Sequence, residues 1–267
     1  MEKRKQNMSL NFEQKIEKFA EYINQSDNIV FFGGAGVSTE SGIPDFRSSS
    51  GLYNTSNTNE IYGESPETML SRTYFFNHTE KFYDFYKSTM LYPDVKPNDA
   101  HKILAKLEEK GKLKAIITQN IDNLHQEAGS KNVVELHGTV KNNFCLDCHK
   151  NFDLNYIANS KKIPYCDNCG GLIKPDVVLY EEQLNYDVVD LAVNYITKAD
   201  MLIVGGTSLV VYPAAYYASR FFSNNKNKNK NKKSVIINKS ETDYDNIFNI
   251  SINEGIGKVM NEVYKKL

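Results

Sequence analysis

Asn28-Ile29-Val30-Phe31-Phe32 is a short β-branched and aromatic run, and Gly33-Gly34-Ala35-Gly36 follows it at once. An apolar run of this length without polar alternation suits a strand buried on both faces of a parallel sheet. At the carboxyl end of such a strand, doubly wound folds place a glycine-rich phosphate cradle. The glycines admit close backbone approach, and amides at the next helix start face the anion. The spacing departs from the common dinucleotide fingerprint, because the glycine after Gly34-x-Gly36 is Gly42. Taken alone, the turn also fits a plain chain reversal.

The rest of the chain supplies the alternation that a doubly wound sheet needs. Phe12, Ile16, Phe19, Ala20 and Ile23 recur at helical spacing between Asn11 and Gln25. Further strands are expected at Lys114–Thr118, Val133–Leu136, Val177–Tyr180, Met201–Gly206 and Ser234–Asn238, with helices at 98–110, 186–197 and 213–222. Strands alternating with helices predict an α/β fold, a Rossmann-like parallel sheet with helices on both faces. At 267 residues the chain can form one large domain carrying an insertion. Segment 65–90 is helical in pattern, and its aromatics Phe75, Phe76, Phe82, Tyr83, Phe85 and Tyr86 read as core. Segment 48–63, rich in Ser, Asn and Gly, reads as a mobile loop, and the basic low-complexity run Asn224–Lys233 as a solvated, disordered one. That run lacks interleaved aromatics, and the formal net charge is −1, so nucleic acid is not an expected partner. No apolar run is long enough to span a bilayer, and no signal-peptide pattern follows the charged N-terminus, which leaves an intracellular, cytoplasmic protein as the expectation.

The four cysteines form two knuckles, Cys145-x-x-Cys148 and Cys166-x-x-Cys169. Two CxxC pairs joined by a short loop point to tetrahedral Zn2+, and four thiolates close the coordination shell, so the site is structural. His149, beside Cys148, is the alternative ligand. A nucleic-acid-binding zinc ribbon is the competing reading, although Asn151–Tyr165 carries few basic residues beyond Lys161 and Lys162.

Ligands of open α/β sheets bind beyond the carboxyl ends of the strands. Polar clusters mass at four such ends: Thr118-Gln119-Asn120-Ile121-Asp122-Asn123-Leu124-His125, His137-Gly138, Gly206-Thr207-Ser208, and Asn238. Each alone could cap the next helix; together they imply one ligand edge. GAGVSTESGIPDFR, TQNIDNLH, ELHG and GTSLVVYPAA, in this order and with the cysteine pairs between the last two, closely resemble the signature blocks of the sirtuins, the NAD-dependent protein deacylases. The resemblance runs from about Asn11 to the C-terminus and is nearest to bacterial-type deacetylases.

That resemblance implies NAD and Zn2+ as cofactors, acetyl-lysine-bearing proteins or peptides as partners, and transfer of the acetyl group to ADP-ribose with release of nicotinamide. It implies a large lobe of about 12–48, 92–139 and 172–267, and a small lobe of 49–91 and 140–171. Ala35, Thr39, Arg47, Gln119, Thr207, Ser208 and Asn238 would hold the dinucleotide, with Ile256 against the adenine. Phe46, Ile121 and Asp122 would enclose nicotinamide. His137 would be the general base and Asn120 would position water or ribose. His78 and His101 read as surface or core residues, and His125 as structural. ADP-ribosyl transfer to protein, or a non-enzymatic NAD-sensing or zinc-ribbon module, stands as the alternative. Two departures matter. Glu181 occupies the usual glycine position in the stretch that pairs with substrate peptide, which could favour basic residues near the modified lysine. Family members that remove acidic acyl groups carry a Tyr-x-x-Arg pair, and here Tyr86 is followed by Thr89.

Overall fold

The computed structural model describes residues 10–46, 48, 51–52, 63–210, 214–223 and 232–267. Arg47, most of segment 48–63 and residues 224–231 of the expected Asn/Lys-rich loop lie outside the described residues. Helix α1 (Phe12–Asn24) begins at an Asn11–Gln14 capping box and leads into β1 (Ile29–Gly33), whose five residues are all buried. Among the described residues no α-helix directly follows the glycine turn, contrary to expectation. Two 3-10 turns, Ala35–Val37 and Thr39–Ser41, carry the chain onward. Short helices α2 (Pro66–Met69), α3 (Arg72–Asn77) and α4 (Thr79–Thr89) precede α5 (Asp99–Glu109) and β2 (Leu113–Thr118). Then come α6 (Leu124–Glu127), β3 (Val133–Glu135), β4 (Gly138–Cys145), β5 (Asn151–Asp153), α7 (Leu154–Asn159) and β6 (Ile173–Val177). The chain closes with α8 (Tyr186–Lys198), β7 (Met201–Gly205), α9 (Ala214–Ser223), β8 (Lys233–Ile237), β9 (Ile250–Ile252) and α10 (Ile256–Tyr264).

Among the described residues the strands form two sheets. The large one runs β3-β2-β1-β7-β8-β9, and every pair in it is parallel. Its two faces are covered separately. Side chains of α1, α5 and α10, among them Phe19, Leu104 and Val259, pack on one face; Ala192, Ile196 and Phe221 of α8 and α9 pack on the other. The strand order reverses beside β1, which places the switch point of the sheet at the glycine turn.

The second sheet is antiparallel, in the order β5-β4-β6. It corrects the expected strand at Val177–Tyr180. The strand lies four residues earlier and belongs to this sheet, and its polar Lys174-Pro175-Asp176 hides it from an apolar-run reading. The expected aromatic core is present: Phe75, Phe82, Tyr83, Phe85 and Tyr86 are buried with Cys145, Cys166 and Ile173. Phe76 is the exception. It turns outward and lies under the Arg72 guanidinium, 5.0 Å from its ring centre. The Tyr83 hydroxyl donates to the Ile173 carbonyl, tying α4 to β6.

Candidate active site

A cavity of about 1220 Å³ opens where the carboxyl ends of the parallel strands face α4 and the stretch after β6. It exceeds the roughly 300–1,000 Å³ of ordinary small-molecule sites, so a dinucleotide and a second substrate both have room. The glycine turn forms one side by pressing against the loop after β7. Gly34 and Gly36 donate their amides to the carbonyls of Gly205 and Gly206 at 3.2 and 2.8 Å. A Cβ on Gly36 would come within 2.8 Å of the Gly206 Cα, so glycine here permits the contact between two backbones. The expected cradle is therefore a pair of interlocked loops.

Of the residues expected at the site, Ala35, Thr39, Phe46, Gln119, Asn120, Ile121, Asp122, His137, Thr207, Ser208, Asn238 and Ile256 all line this cavity; Arg47 lies outside the described residues. Gln119 reaches Thr207 across the switch point, Nε2 to Oγ1 at 3.3 Å, and so joins the loops after β2 and β7. Thr39 Oγ1 donates to the Gly36 carbonyl. Asn238 donates through Nδ2 to the Ser240 carbonyl, which shapes the end of β8. Ile256 opens α10 and packs against Gly205, where a Cβ would come within 2.3 Å of its Cδ1.

Asp122 is held by a network that the spacing of these residues in sequence does not foretell. Ser38 Oγ donates to its Oδ2 at 2.6 Å, the Leu124 amide donates to its Oδ1 at 2.9 Å, and Asn120 Nδ2 donates to Ser38 Oγ at 3.0 Å. Burial raises the carboxyl pKa, and the bonds from Ser38 and Leu124 work against that shift. Ser38 thus orients both Asn120 and Asp122. Its place one residue after Gly36-Val37 is visible in the sequence, but nothing there reveals its partner.

His137 stands between the two sheets, after β3 and directly before β4. Its Nδ1 lies 2.8 Å from the Gln119 carbonyl oxygen. A carbonyl only accepts, so Nδ1 carries the proton and Nε2 is left as the basic nitrogen. Burial lowers its pKa, and the bond to Gln119 opposes that shift. Gly138 next to it has φ +75°, and a Cβ there would meet the Asp176 carbonyl at 2.0 Å. The other histidines keep away from this role. His101 and His125 are buried edge to face with ring centres 4.7 Å apart, and burial pushes the His101 pKa down to about 4. The His101 Nδ1 accepts the Asn98 amide in a capping box, while His125 shows no partner for either ring nitrogen among the described residues.

Glu181 is exposed, and its carboxylate turns back onto α3, where Oε2 accepts the Thr73 amide at 2.8 Å.

Away from the cavity, the sulfurs of Cys145, Cys148, Cys166 and Cys169 all lie within 4.8 Å of one another. The closest pairs, Cys145–Cys169 and Cys148–Cys166, are 3.4 and 3.6 Å apart, too long for a disulfide. A regular tetrahedron with Zn–S near 2.3 Å has sulfurs about 3.8 Å apart, so the four thiols fit a structural zinc ion. His149 is not part of the cluster.

The Sir2 family model matches residues 34–213. The chain belongs to the Sir2 family. It is 59% identical over 248 residues to an NAD-dependent protein deacetylase of Clostridium tetani, covering 92% of this chain and 96% of the relative. It is 56% identical to the protein of the same description from Clostridium acetobutylicum, covering 93% and 98%. Among solved structures, a Sir2–p53 peptide–NAD+ complex superposes with a TM-score of 0.79 at 38% identity, covering 94% of this chain and 97% of that one. A Sir2 homologue in complex with NAD gives a TM-score of 0.81 at 37% identity, covering 93% and 92%. The sirtuin fold therefore extends beyond the matched segment to α1 and α10.

Proposed function

We propose that the protein is an NAD-dependent protein-lysine deacetylase that takes acetyl-lysine peptides or proteins and releases nicotinamide, with O-acetyl-ADP-ribose as the second product. The observation that carries this reading is the fixed tautomer of His137, whose Nε2 lone pair belongs to a buried ring at the joint of two sheets. A module that only senses NAD has no use for a base held in this way. When bound, NAD supplies the ribose carbon to which the acetyl oxygen adds once nicotinamide has left. Every other part falls to this chain. Gln119, Thr207, Ser208, Asn238, Ala35 and Thr39 hold the dinucleotide, with Arg47 added from the family motif and Ile256 at the adenine end. Phe46 and Ile121 close the nicotinamide end, where Asp122 accepts from the carboxamide. His137 takes a proton from a ribose hydroxyl, and Asn120, oriented by Ser38, positions the water or ribose.

The large lobe is the parallel sheet with its helices, and the small lobe comprises α2–α4 and the zinc module, widened from the sequence division to include β6. No helix among the described residues is long and apolar enough to cross a membrane; four cysteines without a disulfide among them suit a reducing compartment, which supports a cytoplasmic location. The direct test incubates the protein with an acetyl-lysine peptide, with and without NAD, and follows nicotinamide together with the mass of both products. A peptide lighter by the acetyl group supports deacetylation; a peptide heavier by ADP-ribose overturns it.

A further inference from the structure

Glu181 has φ +75°, in a turn that the Glu182 amide closes onto the Leu179 carbonyl at 3.0 Å. It is the third of the four turn residues, the position at which a type II turn needs positive φ and favours glycine. A glutamate there is unfavourable for the backbone, so other contacts must hold it. The Thr73 amide, which donates to Glu181, is the second of α3, and amides of a first helical turn have no acceptor within the helix. Hydrogen bonds from Thr73, with the charge of Arg72 behind them, hold the Glu181 carboxyl below the usual carboxylate range.

The same stretch is tied down on either side. The Tyr180 amide donates to the Leu70 carbonyl at 3.0 Å, and the Arg72 amide donates to the Tyr180 carbonyl at 2.9 Å. Glu182 Oε2 accepts the Leu179 amide and the buried Lys174 Nζ, at 2.9 and 3.1 Å. The Val178 amide donates to the carbonyl of His137 itself at 2.9 Å. Residues 177–184 form a wall of the cavity. The turn at Glu181 is thus the outer end of a wall whose inner end is anchored on the residue assigned as base.

We propose that Glu181 is a positioning residue for the acyl-lysine peptide: by clasping Thr73 it presets the Leu179–Glu182 turn, so that the peptide meets a wall already in its binding shape. The inference rests on the deacetylase reading and concerns its peptide side. A side chain that latches the turn leaves the wall preset, and a preset wall lowers the ordering cost of binding.

Two substitutions remove the latch while suiting the backbone. Glu181→Gly and Glu181→Asn both accept positive φ, and neither side chain reaches Thr73. Glu181→Gln keeps an acceptor and serves as the conservative control. The readouts are anisotropy of a labelled acetyl-lysine peptide and steady-state kinetics with each substrate varied. The Gly and Asn variants should bind peptide about 10-fold more weakly, the scale of one charge-assisted hydrogen bond, with KM for peptide raised to match. Their kcat and KM for NAD should stay at the parent values, and the Gln variant, which keeps an acceptor without its charge, should fall between the parent and the Gly and Asn variants in peptide affinity. Parent-level peptide affinity in the Gly or Asn variant overturns the proposal, and so does an equal loss across peptide, NAD and kcat, which marks a general structural role. A parent protein that neither binds nor turns over the peptide sinks the deacetylase reading; a parent that does both, with unchanged variants, sinks the latch alone.

Discussion

The two sheets of this protein are stabilised in opposite ways. In the large sheet, β1 and β7 are buried at every residue, and helices cover both faces with aliphatic and aromatic side chains. In the small sheet, β5 buries one residue of three, and β4 alternates irregularly between buried and accessible positions. β6 buries four of its five residues, but a three-stranded sheet with so uneven a buried face needs packing from outside its own strands. The small sheet instead leans on the aromatic cluster of α2–α4 and on four cysteines gathered at one end. Where the core suffices, polar residues are free to collect at strand ends and do chemistry. Where it does not, the polar residues are committed to a metal.

The sharpest break of that contrast is Cys166→Ala. Cys166 is both one of the four thiols that fit the zinc ion and a buried member of the aromatic cluster. Binding of structural zinc is worth about 10 kcal/mol or more in small zinc-dependent folds, so its loss should open the small sheet. The expected outcome is a protein without its zinc, by metal analysis, that is cut by protease between residues 140 and 171 while the parallel sheet stays protected. A metal-free variant with intact protease resistance and activity would falsify the division of labour. The substitution also removes one sulfur atom from the core, but that loss is small beside the metal.

The next test falls on the joint. His137 follows β3 and precedes β4, so it stands where the chain first passes from the large sheet to the small one, and it lines the cavity. His137→Ala should keep zinc, fold and NAD binding, and lose deacetylation by about 100-fold or more, as lost acid–base groups do. Its pH dependence has a definite sign. The base works only unprotonated, and burial holds its pKa below the ordinary histidine value of about 6.5. Activity should therefore persist as pH falls through that ordinary value and decline only at the lowered one. A decline centred above it points to another group.

How legible the sequence was follows the same divide. The buried strands of the large sheet announced themselves as apolar runs, and the cysteine spacing announced the metal. What stayed hidden was polar or short. β4 mixes Lys141, Asn142 and Asn143 into its run, β6 contains Pro175 and Asp176, and β9 has three residues. None gives a periodic signal long enough to read. α10 starts at Gly255-Ile256-Gly257 with no side-chain cap of its own, and its first turn is met by the distant Glu40 carboxylate on the Gly257 amide at 3.0 Å. At the site, the residues at strand ends were readable one by one. The bonds among Ser38, Asn120 and Asp122 join positions 82 and 84 residues apart, and only the packed sheet brings them together.

The smallest expected effect concerns the acyl group, and it sharpens the contrast because it lies on the small-lobe side of the cavity. Tyr86 and Thr89 of α4 line the cavity, while Lys87 between them turns away. The Lys87 Nζ donates to the carbonyls of Ser160 and Lys162 at 2.7 and 2.6 Å, so its charge is committed to the strap before the second zinc knuckle. Lys162 returns the tie through Glu80, at 2.8 Å. On α4 the cavity wall therefore presents a neutral hydroxyl at Thr89 where a cation would be needed to receive a carboxylate. An acidic acyl group entering here loses its water without gaining a partner. On one peptide carrying acetyl or succinyl lysine, kcat/KM for succinyl should be lower by about 10-fold or more, since even a partly desolvated carboxylate outweighs one neutral hydrogen bond. Short neutral groups such as propionyl should be accepted. Equal turnover of acetyl and succinyl peptides means that some other cation reaches the acyl group. Thr89→Arg is the converse test: it places a bidentate cation on the cavity face without touching the Lys87 tie, and should raise desuccinylation while zinc content and acetyl-peptide binding stay close to the parent. Should Thr89→Arg leave succinyl turnover unchanged, Thr89 does not face the acyl end, and α4 serves the cavity only as a wall.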